Sequence, residues 1–68
     1  MPTQRTVSKR RRQARNINPG DMVCMGDGEP YRPVVGWSKH DDEVTISLLY
    51  GGIWRMPEKK MVKIEVPL

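Results

Sequence analysis

The chain has 68 residues, 37% hydrophobic and 29% charged, with 12 Lys and Arg against 8 Asp and Glu for a formal net charge of +4. That length holds one small core and excludes a multidomain enzyme with a deep catalytic cleft. Cys24 is the only cysteine, so no intrachain disulfide staples the fold, and the longest mainly apolar stretch, Val44 to Trp54, falls short of the ~20 residues that span a bilayer.

Charge divides the chain at Asn18-Pro19-Gly20, the first cluster of breaker residues. Residues 1–20 carry Arg5, Lys9, Arg10, Arg11, Arg12 and Arg15 and no acid, whereas 21–68 carry six bases against eight acids. The expected organisation is a basic arm over 1–19 and a mildly acidic body over 20–68. The arm offers only Met1, Val7, Ala14 and Ile17 as apolar residues, and a block of like charge repels itself when compact, so it is expected to be disordered when free. A helix on a partner is compatible with Thr6 or Ser8 as cap, with the helix formers from Lys9 to Arg15, and with the stop at Asn18-Pro19-Gly20. Arginines stand where a secretory signal would place its apolar run, so the expected location is cytoplasmic.

The body reads as β structure throughout. A first strand over Asp21–Met25 leaves through Gly26-Asp27-Gly28-Glu29-Pro30, and a second runs from Tyr31 to Trp37, where Pro33 calls for an edge position or a bulge. Lys39-His40-Asp41-Asp42 forms a polar turn. In the next strand Val44, Ile46, Leu48 and Tyr50 alternate with Thr45, Ser47 and Leu49, a period-2 pattern that helical spacing would not give. Gly51-Gly52 then supplies the positive φ of a tight hairpin into Ile53–Met56. Pro57–Lys60 makes a short turn with room for one 3₁₀ turn, and Val62, Ile64 and Val66 alternate with Lys63 and Glu65 in a closing strand. Five short strands that must protect their edges predict an all-β fold, a small five-stranded barrel.

From Gly20-Asp21 through Val23-Cys24, Tyr31, Val34-Val35, the Val44 strand, Tyr50-Gly51 and Met61–Val66, the body resembles the Tudor and SH3-like small barrels, and Met56–Ile64 is similar to the turn and last strand of SH3 domains. The resemblance implies a Tudor-like, SH3-like barrel. It also brings in the aromatic cage with which some Tudor domains read methylated side chains through cation–π attraction. Tyr31 and Tyr50 match cage positions, whereas Met25 and Gly52 depart from the pattern. The arm, through Gln4-Arg5 and Lys9-Arg10-Arg11-Arg12-Gln13-Ala14-Arg15, is similar to the arginine-rich motifs of phage antiterminator proteins. That resemblance implies contact with an RNA hairpin and a role at RNA polymerase.

The residues themselves nominate two sets. Arg5, Lys9, Arg10, Arg11, Arg12 and Arg15 are the nucleic-acid-binding candidates, because guanidinium groups fork onto phosphate oxygens and each neutralised phosphate releases counterions. Tyr31, Tyr50, Trp54 and Arg55 are the partner-binding candidates, since Tyr, Trp and Arg are enriched where interfaces concentrate their energy and aromatic rings also stack on bases. Trp37 is expected in the core, with Trp54 balanced between packing and contact. His40-Asp41-Asp42-Glu43 is read as a solvated turn rather than a metal site, and Cys24 as a small buried hydrophobe. No phosphate-binding loop, dinucleotide fingerprint, nucleophile elbow or paired-Cys zinc motif occurs, and no cofactor or small-molecule substrate is expected.

The expected function is therefore non-enzymatic: a nucleic-acid-binding regulator of transcription, the arm binding RNA or DNA and the barrel adding selectivity. The alternative is a small phage-type protein that docks on a host enzyme such as RNA polymerase, with no membrane partner in either case.

Overall fold

The basic segment is not a free arm. In a computed structural model of the chain, which describes residues 7–67, Val7–Gln13 form a β-strand, β1, followed by a single 3₁₀ turn at Ala14–Asn16. Five further strands follow: β2 (Met22–Cys24), β3 (Arg32–His40), β4 (Glu43–Leu48), β5 (Gly52–Pro57) and β6 (Met61–Pro67). All pair antiparallel in one sheet of order β1-β6-β2-β3-β4-β5, which leaves β1 and β5 as its edges. The expected five strands are thus six, the sheet is unclosed, and the disordered or helical arm is corrected from Val7 onward. Arg5 lies outside the described residues.

Two things hold β1 in place. Its backbone pairs with β6 over seven residues, from Val7 opposite Pro67 to Gln13 opposite Met61. Directly after it, Ala14 and Ile17 enter the core at 0% and 2% exposure, so these two apolar residues of the arm are buried after all. The backbone N–H groups of Ala14 and Arg15 donate to the carbonyls of Lys60 (2.8 Å) and Glu58 (3.0 Å), which ties the 3₁₀ turn to the β5–β6 connection. That connection is a plain turn closed by Lys60 N–H to Pro57 O at 3.0 Å, and the 3₁₀ turn allowed there lies instead at Ala14–Asn16.

Period-2 alternation orders the rest. Val44, Ile46 and Leu48 of β4 face the core with Val62 and Ile64 of β6, Val23, Val34 and Met56, while Trp37, Met25 and Val66 pack against them partly buried. The register of β3 against β4 shifts between Val34 and Gly36, a bulge that leaves Val35 exposed, while Arg32 and Pro33 pair with β2. Pro33 pairs with Met22 of β2 and lies just outside the β3–β4 ladder, which begins at Val34, so this interior strand holds proline at a position paired on one side only.

The β3–β4 hairpin turns on Asp41-Asp42, with Asp41 at φ 55°, and its side chains are exposed as expected. The β4–β5 turn departs from expectation. Gly52 takes the expected positive φ, 81°, but Leu48 pairs with Gly52, so Leu49, Tyr50 and Gly51 make the loop, and Tyr50 too adopts φ 58° in the left-handed region that favours glycine. Gly51 is needed for space: a Cβ there would lie 2.7 Å from both Arg32 Cδ and Leu48 Cβ.

Candidate nucleic-acid interface

Strand geometry sorts the arm's cations by parity. On β6, Val62 and Ile64 face the core, so Lys63 and Glu65 face outward. Arg11 lies opposite Lys63 and Lys9 opposite Glu65, which puts Lys9 and Arg11 on the outer face, while Arg10 and Arg12 fall in the core-side row beside Ile64 and Val62 at the sheet's edge. The expected cationic set is therefore split. Arg12 is engaged within the fold, its Nη1 3.4 Å from Asp21 Oδ2, and the same carboxylate accepts the Asn18 backbone N–H at 2.8 Å. Arg10 Nε donates to Ser8 Oγ at 3.3 Å, and Arg15 projects exposed from the 3₁₀ turn.

Arg11 opposite Lys63 is the most telling pair. Opposed side chains in an antiparallel ladder have Cβ atoms about 5 Å apart, and like charges so placed destabilise the sheet. Tyr31, half-buried just before β3, brings an aromatic ring to this face, with Lys9 Nζ 5.6 Å from its centroid, within cation–π range. Lys9, Arg10, Arg11, Tyr31 and Lys63 line one open groove of about 500 Å³. Lys63 Nζ also meets Asp27 Oδ1 at 3.3 Å, but the Asp27 side chain is fully exposed, so that pair is weak and screened. The face can bind phosphate oxygens with its cations and stack an unpaired base on Tyr31.

The partner-binding candidates do not form one set. Tyr31 joins the cationic face, whereas Tyr50 stands 88% exposed at the tip of the β4–β5 turn. Trp54, 39% exposed, donates its indole N–H to Gly51 O at 2.8 Å, which braces that turn, and Arg55 lies on the outer face opposite Thr45. Cys24 is buried but outside the main core cluster, its thiol directed at the carbonyls of Gly26 (3.1 Å) and Glu29 (3.3 Å), where it steadies the loop that carries Tyr31.

Lys63 is absent from the sequence-derived candidates. Its signal is present in the alternation of β6, which puts it on the solvent face, but the neighbour that makes it functional, Arg11, becomes visible only with the β1–β6 register. Among the described residues no group of three or more His, Cys, Asp or Glu is placed to hold a metal ion, and no helix is long and apolar enough to cross a membrane. No family model, curated protein or solved structure matches the chain.

Proposed function

We propose that this chain is a non-enzymatic, cytoplasmic nucleic-acid-binding regulator of transcription. It binds RNA or DNA through Lys9, Arg11, Lys63 and Tyr31, with Arg10 and Arg15 adding to the field. The observation that carries this reading is Arg11 set opposite Lys63, a like-charge pair that weakens the free protein and is relieved by a polyanion. The strand order β6-β2-β3-β4-β5 supports an SH3-like, Tudor-like arrangement of the body to which β1 is added at one edge. Binding here runs through the outer face of a strand rather than through a helix seated in an RNA groove. The role in transcription rests on the arginine-rich composition of the arm alone.

A titration of the full chain against short RNA and DNA, followed by fluorescence anisotropy at two salt concentrations, tests the reading. Replacing Lys9, Arg11 and Lys63 together by Ala is expected to flatten the salt dependence, by roughly 0.9 in log–log slope for each phosphate left unneutralised on duplex DNA. An unchanged slope and affinity would overturn the assignment.

A second reading, docking on a host enzyme such as RNA polymerase, is favoured by a separate observation. Val35, Leu49, Tyr50 and Ile53 are 58%, 44%, 88% and 72% exposed around the bulge and the β4–β5 turn, a cluster that suits protein contact. Ile53→Ala and Tyr50→Ala would then abolish recovery of a purified polymerase complex while leaving nucleic-acid affinity unchanged.

A further inference from the structure

The two edges of the sheet are guarded very differently. β1 carries Lys9, Arg10, Arg11 and Arg12, charges of the kind that keep an edge from pairing with another chain. β5 pairs with β4 on one side only, and along its open side run Ile53 and Trp54, both exposed. Beside that edge lies a groove of about 340 Å³, bounded by Trp54, Arg55 and Met56 of β5, by Lys60–Lys63, and by Cys24–Asp27. This volume falls in the ligand-pocket range of about 300–1,000 Å³. The opposite wall is also short of a partner: β2 pairs with β6 only from Lys63 onward, so Met61 and Val62 pair with β1 but not with β2.

The chemistry of the groove is specific. Met25, Met56 and Met61, three of the chain's five methionines, line it with Val62 and Trp54, and methionine is the adaptable residue of surfaces that accept varied apolar side chains. Arg55, Lys60 and Lys63 stand at its rim against the single carboxylate of Asp27. We propose that this groove is a docking site for an extended, acidic segment of a partner protein, which adds a strand to β5.

The register of β5 dictates the pattern of that segment. Trp54 and Met56 lie opposite Ile46 and Val44 on the core side, whereas Arg55 lies opposite Thr45 on the outer side. An added strand therefore turns apolar residues inward beside Trp54 and Met56 and an acidic residue outward beside Arg55, an alternation of period two. A second copy of this chain is disfavoured as occupant, because its own β5 would bring the same cationic rim against this one. Nucleic acid is disfavoured because it supplies no backbone amides to match the open edge. The groove shares Lys63 with the cationic face but none of Lys9, Arg11 and Tyr31, so it is tested through Arg55 and Lys60, which that face does not use.

The test is an amide-resolved NMR titration of the full chain with a short synthetic peptide alternating glutamate and leucine. Two control peptides are used, one with lysine for glutamate and one N-methylated at alternate amides. Binding is expected to perturb the amides of Ile53–Met56 and Met61–Val62, to be lost with both controls, and to weaken roughly tenfold in Arg55→Glu and in Lys60→Glu. Both substituted residues are exposed, so these variants are expected to keep the fold. Perturbation centred on Lys9, Arg11 and Tyr31, equal binding of either control peptide, or protection of β5 amides by self-association without peptide would each overturn the proposal.

Discussion

The indole N–H of Trp37 donates a 3.0 Å hydrogen bond to the carbonyl oxygen of Ala14, joining β3 to the 3₁₀ turn that follows β1. Ala14 is fully buried and Trp37 packs against the same core, so this bond ties the basic segment to the body from inside. Trp37→Phe keeps the aromatic packing and removes the donor. The expected loss is about 1 kcal/mol, read from the urea midpoint, because the Ala14 carbonyl also accepts the Ile17 N–H at 3.3 Å and is not left bare.

Because Ala14 and Ile17 belong to the core, the basic segment cannot be removed as a tail. Deleting the chain through residue 18 takes away β1, one side of the β6 ladder and both buried residues. The expected outcome is loss of the cooperative thermal transition in circular dichroism, a small domain having only about 5–15 kcal/mol to lose. A deletion variant that melts like the full chain would return the segment to the status of an independent arm.

Parity along β1 separates neighbours that composition treats alike. Arg11→Ala is expected to weaken nucleic-acid binding, reduce its salt slope by about 1, and raise stability by a few tenths of a kcal/mol as the repulsion with Lys63 is relieved. Arg12→Ala is expected to do the reverse: it removes the partner of Asp21, costs up to about 1 kcal/mol, and leaves the salt slope nearly unchanged. Paired denaturation and anisotropy measurements on the two variants check this crossing of effects.

Tyr50 holds φ 58° with its side chain 88% exposed, so packing returns little for the strained backbone. Tyr50→Gly is expected to raise stability by up to about 1 kcal/mol, the relief of the left-handed conformation partly offset by the entropy of glycine. Thermal denaturation reads the gain. A loss of stability would mean that the tyrosine ring makes interactions that outweigh the strain.

The β-rich body is legible in the sequence because β4 states its own period: Val44, Ile46 and Leu48 face inward whatever their neighbours do. The closing strand is legible for the same reason. β1 is not, because its core-side row is Ser8, Arg10 and Arg12 at the sheet's margin, where no apolar residue is required and no alternation is written. Its place is set by the free side of β6, a tertiary demand that the local sequence does not display. The β4–β5 turn is legible in part: Gly51-Gly52 marks it and Gly52 takes the positive φ, 81°, but the loop is Leu49–Gly51 and Tyr50 also adopts a positive φ, which no glycine signals. The cations are legible as a group, whereas their division between two faces and the addition of Lys63 need the register.

The pairing of β1 with β6, from Val7 opposite Pro67 to Gln13 opposite Met61, sets the first described strand against the last. In synthesis order β1 therefore emerges earliest and waits longest, and its ladder closes only after every other strand has been made. Loop-closure entropy grows slowly with length, so this ordering bears on folding rate more than on final stability. A circular permutant opened between Asp41 and Asp42, with the original ends joined, would turn β6 and β1 into a local hairpin. The most distant pairing in the chain would become one of its nearest.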